Sequence, residues 1–384
     1  MSLAMTRRAA LPVLAASALA AALGPAAALG PAAAESGVPA DRVAMLARGF
    51  NLPDMVPATA RRPGLPALLD ELHHAGFTHV RLPLGSDSLM PRFAGPAVVG
   101  EALDDLDAAL DLLLNRGYAV SVDMHGGAGL GALYGRNPAA ALAALTEGWA
   151  VVAKRILARP AARVFAELLN EPPTSDDLWR PQAAALATSV RAMLPETTLL
   201  VGPAPWERVE ALTSWQPLAD RNTVYVCHYY DPMDFTHQGA TWDATGPYRY
   251  FADIPFPARR SDAVVQRDVG RLRRDGHADA AASLETALVE PWTVERVRDQ
   301  FKPVGAWSRQ HGVPVILNEF GVLRDRAPRA DRLLWLSTVR RAAEENGIGW
   351  TCWDFDEGFA LVVDGRPDPG VIQALLGRDG SSKR

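Results

Sequence analysis

The dipeptide Asn-Glu follows an apolar run at two places in this sequence. The first is Asn170-Glu171 within LLNEPP, and the second is Asn318-Glu319 within VILNEFG. A carboxylate directly behind a buried strand is costly unless it is paired or takes part in chemistry. Because both glutamates occur in the same local context, we expect them to meet in space and to act on one substrate.

Other reactive side chains stand near the ends of β-rich runs. They are Arg81 in HVRLPL, Asp123 and His125 in YAVSVDMH, His228 and Tyr230 in TVYVCHYY, and Trp353 in GWTCWDF. Side chains alternate along a strand, so His228 and Tyr230 share one face of theirs. Each residue alone could be a packing residue, an ion-pair partner or, for Asn170-Glu171, a helix cap. One converging site explains six such strand ends better than six accidents do.

A carboxylate pair with a guanidinium, imidazoles, a phenol and an indole fits the hydrolysis of a glycosidic bond. One carboxyl group protonates the leaving oxygen, while the other attacks or stabilises the anomeric carbon. Arg81 and Tyr230 could keep the attacking carboxylate ionised by charge pairing and hydrogen bonding. An indole stacks well on the apolar face of a sugar ring, which suits Trp353. This chemistry needs no cofactor, and we expect none.

The elements that carry these residues alternate along the chain. Eight β-rich runs are separated by segments of helical period, and the runs end at Leu52, Leu84, His125, Glu171, Pro203, Tyr230, Phe320 and Phe355. Alternating β and α units predict a parallel sheet, and eight of them predict closure into a single-domain (β/α)8 barrel. An open doubly wound sheet is the alternative, but no Gly-x-Gly-x-x-Gly follows the first run.

The helix candidates between these runs have apolar residues at helical spacing. They cover residues 66–74, 101–115, 139–157, 181–193 and 331–346. The longest connection, residues 230–313, is expected to start as an irregular loop and to continue with one or two helices, because residues 285–310 look helical. A loop of such length is usually functional. In a barrel of this kind the working residues lie at the carboxyl ends of the strands.

The first 34 residues have a different composition from the remainder. Arg7 and Arg8 precede an Ala- and Leu-rich run that ends in the small residues before Glu35. This order predicts a secretory signal peptide over residues 1–34, and the arginine pair is compatible with the twin-arginine route. Prolines and glycines keep the run below the ~20 apolar residues of a membrane span. We therefore expect a secreted or periplasmic protein, not held in a membrane, with its mature domain over residues 35–384.

Charge and cysteine content exclude several other classes of protein. The formal net charge is −5 with scattered Lys and Arg, so no basic stripe is available for nucleic acid. The two cysteines, Cys227 and Cys352, form neither a disulfide framework nor a Cys-x-x-Cys zinc motif. Strand alternation turns both outward beneath the helices, on strands six and eight. At roughly 9 to 10 Å apart they cannot pair, so two buried free thiols are predicted.

The sequence resembles the family-5 glycoside hydrolases, the cellulase family of retaining β-glycanases. The resemblance covers the chain from about Gly49 to Leu376 and rests on RGFNL, VRLPL, DMHG, LLNEPP, HYYDP, NEFG and GWTCWDF. It implies an acid/base at Glu171 and a nucleophile at Glu319. It also implies supporting roles: Asn170 for the sugar 2-hydroxyl, Arg81 and Tyr230 for orienting Glu319, His125 and His228 around the cleavage subsite, and Trp353 as a stacking platform.

The segment FTHQGATW is also similar to bacterial members of this family, in which a loop after strand six closes over the substrate groove. Trp242 in this loop and Trp206 after strand five are candidates for outer subsites, with ordinary packing as the alternative for each. The main interpretation is a monomeric retaining endo-β-glycosidase that cleaves β-1,4-glucan. Its expected partner is a polysaccharide or oligosaccharide substrate.

Three alternatives stay open at this point. The first is an exo-acting enzyme or another β-glycanase, acting on β-1,3-glucan, mannan or an exopolysaccharide. The second is a metal-dependent barrel hydrolase with ligands from Asp123, His125, His228 and Glu319, although RGFNL lacks the His-x-His often expected on strand one. The third is a non-catalytic carbohydrate-binding barrel, which the presence of both glutamates disfavours. We expect no metal site.

Overall fold

The computed structural model describes residues 37–53 and 62–377. Eight parallel strands pair in sequence order, and the last pairs with the first to close a barrel. The strands are β1 (Arg48–Asn51), β2 (His79–Gly85), β3 (Ala119–His125), β4 (Val164–Glu167), β5 (Thr198–Val201), β6 (Thr223–Tyr229), β7 (Val315–Phe320) and β8 (Gly349–Cys352). This topology confirms the predicted (β/α)8 barrel.

Helices connect the successive strands. They are α1 (Ala40–Met45), α2 (Leu65–Ala75), α3 (Ser86–Leu89), α4 (Pro96–Leu114), α5 (Ala128–Arg136), α6 (Pro138–Leu157), α7 (Asp176–Met193), α8 (Val209–Leu212), α9 (Met233–Thr236), α10 (Ala263–Arg274), α11 (Ala278–Ala287), α12 (Val294–His311), α13 (Arg329–Glu345) and α14 (Pro369–Leu376). A two-stranded hairpin, β9 (Val362–Val363) with β10 (Arg366–Pro367), precedes α14. Within the described residues, no helix combines the length and the apolarity that crossing a membrane requires. The predicted signal peptide lies outside the described residues.

The inward positions of the strands change from apolar to charged along the barrel axis. Near the strand starts, a small apolar cluster includes Phe165, Val224 and Leu46. At the start of β2, the His79 ring contacts the Ser121 hydroxyl of β3 at 2.9 Å. Beyond that lies Arg81, two residues after His79 and therefore on the same face of β2. The barrel is thus packed at its amino end and carries its polar groups toward its carboxyl end.

Several strands end earlier than the sequence predicts. β4 ends at Glu167 and not at Glu171, so the first Asn-Glu pair lies in the following loop, where Glu171 has a left-handed backbone with φ +42°. β5 ends at Val201, two residues before the predicted end. β6 and β8 end just before Tyr230 and Trp353. By contrast, Asn318-Glu319 lies within β7, so the two pairs differ in how firmly the sheet holds them.

One helix prediction needs correction, and another gains its exact boundaries. α7 begins at Asp176 and encloses Pro181, where the prediction began, because two aspartates in the first turn complement the positive end of the helix dipole. The region 285–310, where one or two helices were predicted, contains the end of α11 and most of α12. α11 ends at Ala287, and Pro291 cannot donate a helical hydrogen bond. α12 then starts anew with the Thr293 hydroxyl accepting the Arg296 backbone N–H at 3.1 Å.

The cysteine prediction is confirmed, because Cys227 and Cys352 are free and buried. Both belong to the large apolar core that also contains the inward-facing residues of the helices. Burial raises the pKa of both thiols, which makes them unreactive in the folded protein. We expect thiol titration of the denatured, unreduced protein to find two reactive groups per chain. Finding none would mean that the thiols pair in solution.

Candidate active site

Arg81 is a fully buried cation at the centre of the site. Its guanidinium binds Glu167 in a two-point contact, with Nε donating to Oε2 at 2.9 Å and Nη2 to Oε1 at 2.6 Å. Nη2 also donates to Asn170 Oδ1 at 2.7 Å and lies 3.0 Å from Asp123 Oδ2. Nη1 donates to Glu319 Oε1 at 2.5 Å. Arg81 therefore ties residues of β3, β4 and β7 into one network.

Glu319 is held as an ionised carboxylate with donors on both oxygens. Besides Arg81 on Oε1, the Tyr230 hydroxyl donates to Oε2 at 2.9 Å. Burial by itself would raise the pKa of Glu319, but the charges of His228, Arg81 and His125 outweigh it and lower that pKa. Burial and the charge of Glu319 raise the pKa of Tyr230, so its hydroxyl stays a donor. Such a carboxylate can act as a nucleophile at neutral pH.

Glu171 faces the same space from the loop after β4. Its side chain is 28% exposed, against 7% for Glu319, so the two carboxyl groups differ in their access to solvent. His228 Nδ1 lies 3.0 Å from Glu171 Oε1 and 3.7 Å from Glu319 Oε2. One oxygen of each glutamate and a nitrogen of His228 all lie within 4.8 Å of one another. The structure thus brings together the two carboxylates that the sequence singles out.

His125, Asn170 and Trp353 lie next to this pair. His125 Nδ1 contacts Asp123 Oδ2 at 2.9 Å, and its Nε2 lies 3.5 Å from the Asn170 amide nitrogen. Burial lowers the pKa of His125, but the Asp123 carboxylate outweighs it and raises that pKa above its usual value. The His125 ring stacks against Trp353 with centroids 5.9 Å apart and planes inclined by 19°. His125 and Asn170 therefore place polar groups beside the carboxylate pair, and Trp353 places an aromatic ring next to them.

Two cavities adjoin the carboxylate pair. One, of about 350 Å³, is lined by Glu319, His125 and Trp353. The other, of about 450 Å³, is lined by His228, Trp206 and Arg208 among others. The two cavities share four residues, which are Glu171, Tyr230, His237 and Trp242. The cavities therefore adjoin at these four residues, including Glu171, and form one groove at the barrel end.

Trp206 and Trp242 line this groove but stand apart from the hydrogen-bonded network. Their side chains are 56% and 62% exposed, which is unusual for tryptophan. Trp242 packs edge-on to His237, which in turn packs against Tyr230 at a centroid distance of 5.0 Å. Both indoles offer free faces of the kind that sugar rings contact.

Two buried glutamates of the site escaped the sequence analysis. Glu167 is the last residue of β4 and accepts hydrogen bonds from Arg81 and from the Asn318 amide at 2.7 Å. A charged residue inside the apolar run VFAELL was the signal that could have revealed it. Glu207 follows β5 and lies 3.0 Å from His228 Nε2. Nothing in PAPWERVE marks it, because its position depends on an irregular turn.

The metal-dependent alternative receives no support from the donor set. Among the described residues, two groups of three could converge on an ion: Glu167, Glu207 and His228, and Glu171, His228 and Glu319. Neither contains Asp123 or His125. In the first group Glu167 is already neutralised by Arg81, and in the second Glu319 accepts from both Arg81 and Tyr230. A buried guanidinium among these carboxylates supplies the positive charge that a cation would otherwise bring.

A closed (β/α)8 barrel with a carboxylate pair across the carboxyl ends of its strands defines a glycoside-hydrolase type of barrel. Residues 42–358 match the model of the family described as Cellulase (glycosyl hydrolase family 5), and the chain belongs to this family. This membership confirms the resemblance that the motifs carry.

Individual relatives agree with this assignment. The chain is 31% identical over 237 residues to Endoglucanase 3 of Fibrobacter succinogenes, a match covering 60% of this chain and 35% of that protein. It is 23% identical to Endoglucanase H of Acetivibrio thermocellus, covering 82% of this chain and 30% of that protein. The chain thus spans about a third of the length of both. A crystal structure of Thermotoga maritima Cel5A with cellobiose has the same fold, with a TM-score of 0.68, 23% identity, and coverage of 88% of this chain and 98% of that one.

Proposed function

We propose that this protein is a retaining endo-β-glycosidase that hydrolyses β-1,4-glucan. The observation that carries the proposal is the close approach of Glu171 and Glu319, with one oxygen of each within 4.8 Å. Retaining glycosidases have their two carboxyl groups about 5 to 5.5 Å apart, whereas inverting enzymes need about 6.5 to 9.5 Å to hold a water molecule. The unequal surroundings of the two carboxyl groups support their division into nucleophile and acid/base.

In the first step, a Glu319 oxygen attacks the anomeric carbon as the bond to the leaving oxygen breaks. Glu171 transfers its proton to that oxygen, which departs as the hydroxyl of the shortened chain. In the second step, Glu171 takes a proton from water, and the water oxygen displaces Glu319 from the anomeric carbon. Arg81 and Tyr230 hold Glu319 in position for both steps.

Cleavage within the chain is supported by the two cavities that adjoin at Glu171. Trp353 lines the cavity that contains Glu319, Trp206 lines the cavity that contains His228, and Glu171 lines both. Sugar units can therefore extend from the scissile bond in both directions, as cleavage inside a polymer requires. A glucan as the substrate, and cleavage within its chain, are supported by the similarity to two proteins named endoglucanases.

The stereochemistry of the product tests the mechanism. We expect the newly formed reducing end to appear first as the β-anomer when digestion of a cello-oligosaccharide is followed by proton NMR, with the α-anomer growing only by mutarotation. Initial release of the α-anomer would identify an inverting enzyme and overturn the double displacement.

The substrate and the mode of cleavage need a separate measurement. Soluble β-1,4-glucan, mixed-linkage glucan, β-1,3-glucan, mannan and an exopolysaccharide can be compared by the reducing ends released. For an endo-acting enzyme, viscosity falls early relative to reducing ends. Higher rates on another polymer, or reducing ends without viscosity loss, would favour the other β-glycanases or exo action.

Export is part of the same proposal. An enzyme that acts on a polysaccharide has to reach its substrate outside the cytoplasm. Arg7-Arg8 before the Ala-rich run supports a cleaved signal peptide over residues 1–34. Mass spectrometry of the secreted or periplasmic protein should find Glu35 at its amino terminus. A full-length protein retained in the cytoplasm would contradict export.

A further inference from the structure

Glu207 is a fully buried carboxylate behind the site, on the far side of His228 from the substrate groove. Its side chain is 0% exposed, and its Oε2 lies 3.0 Å from His228 Nε2. Among the ion pairs of the described residues, its partner is His228. The other nitrogen of that ring, Nδ1, faces Glu171 Oε1 at 3.0 Å. One imidazole therefore stands between a hidden carboxylate and the carboxyl group that we assign as acid/base.

The backbone around Glu207 is arranged to bring this carboxylate inside. Trp206 and Glu207 both have left-handed conformations, with φ of +61° and +48°, which cost energy in residues with a Cβ. A Cβ on Gly202 would lie 2.2 Å from Glu207 Oε1, so only glycine leaves room there. The Glu207 carbonyl also accepts the His228 backbone N–H at 2.7 Å, which fixes the turn to β6.

The proton arrangement on His228 decides what Glu171 can do. A neutral imidazole carries one proton, and Glu207 favours its location on Nε2. Nδ1 would then present a lone pair to Glu171 and accept the proton that catalysis must deliver to the leaving oxygen. An imidazolium avoids this, because Nε2 keeps its proton beside the Glu207 carboxylate as an ion pair, and Nδ1–H donates to Glu171 whether that group is protonated or not.

We propose that Glu207 is a positioning residue that keeps His228 as a doubly protonated imidazolium, so that the Glu171 proton is directed to the leaving group and not to His228. The inference rests on the proposed function, because it assigns a role within the acid/base step. Glu207 does not touch the substrate groove and acts through His228 alone.

The electrostatic surroundings of His228 support the charged form. Burial lowers the pKa of His228, but the carboxylates of Glu319 and Glu207 outweigh it and raise that pKa well above its usual value. Burial raises the pKa of Glu207, and the charge of His228 opposes this. The geometry favours the proton on His228, because carboxyl groups from three directions face the ring: Glu171, Glu207 and Glu319. Glu167 and Arg81, deeper in the barrel, add one charge of each sign.

The test is Glu207→Gln, which removes the charge but keeps the shape. On phenyl cellobioside, whose leaving group needs a proton, kcat/KM should fall about 10- to 100-fold, up to the lower end of the roughly 10²- to 10⁴-fold that general acid catalysis contributes. On 2,4-dinitrophenyl cellobioside, whose leaving group needs none, kcat/KM should stay within about threefold. Glu147→Gln, an exposed carboxylate paired with Arg92, is the control for loss of one charge and should change neither value.

Two further readouts separate this role from a structural one. The alkaline limb of kcat/KM for phenyl cellobioside should move to lower pH by about one unit or more, since His228 loses its proton earlier without the neighbouring charge. In a His228→Gln background, Glu207→Gln should cause no further loss, because its effect passes through the ring. A merely structural residue would give equal losses on both substrates, an unmoved alkaline limb and additive effects.

The outcomes distinguish this inference from the function on which it rests. If the unaltered protein cleaves neither aryl cellobiosides nor soluble glucans, the proposed function fails. If it cleaves them but Glu207→Gln changes nothing, or lowers kcat/KM equally for both leaving groups, only the role of Glu207 is overturned. Thermal unfolding of each variant identifies any loss of activity that comes from a loss of fold.

Discussion

Replacement of Glu319 with glutamine is expected to abolish turnover while leaving the fold intact. The amide cannot form the covalent glycosyl intermediate, and removal of a nucleophile lowers kcat on the order of 10⁵-fold or more. Its oxygen can still accept from Arg81, so the buried guanidinium keeps a partner at this position. The measurement is kcat on soluble β-1,4-glucan, with thermal unfolding as the check on folding.

A matched control is Glu345→Gln, which removes an exposed carboxylate paired with Arg298 and should leave kcat unchanged. Binding of cello-oligosaccharides by the Glu319→Gln variant, measured by calorimetry, should persist. Full activity in this variant would contradict a catalytic role and would favour a non-catalytic binding barrel or a different nucleophile.

The second large effect is expected for Glu171→Ala, and it should depend on the substrate. On polysaccharide, kcat/KM should fall by about 10²- to 10⁴-fold, because the leaving oxygen departs without a proton. On 2,4-dinitrophenyl cellobioside, kcat/KM should stay within about tenfold, while kcat falls because the second step has lost its base. Steady-state kinetics on both substrates provides the comparison.

Equal losses of kcat/KM on the two substrates would contradict the assignment of Glu171 as the acid/base. The comparison with Glu319→Gln is itself a control, since that variant should fail on both. A burst of dinitrophenol in the Glu171→Ala variant, equal to one per enzyme, would show directly that the glycosyl intermediate accumulates.

The barrel and most of its site were predictable because both depend on local regularities. Alternation of apolar runs with helical segments predicts the eight strands, and the period of two along a strand predicts which side chains share a face. Arg81 and Glu319 lie within strands, so their direction follows from this rule. Tyr230 and Trp353 lie just past strand ends and still reach the site, although the strand boundaries were predicted too late.

The interior and the turns were harder to predict, for physical reasons. In the sequence, Glu167 is a charged residue within an apolar run. Its charge is stable there because Arg81, on another strand, pairs with it. Glu207 is placed by two consecutive left-handed residues, and no local pattern of PAPWERVE requires such a turn. Contacts between residues distant in sequence decide both cases.

The turn after β5 has a consequence for how this enzyme could be altered. Trp206, more than half exposed, lines the groove, and the next residue, Glu207, is fully enclosed behind His228. A loop exchange intended to change which polymer is accepted would therefore also replace the charge behind the imidazole. The two positions should be epistatic, so that a groove variant that fails in this background could succeed when the glutamate is grafted with it. An exchange of this turn would therefore change both the selectivity of the groove and the proton delivery by Glu171, because two adjacent residues contribute to them.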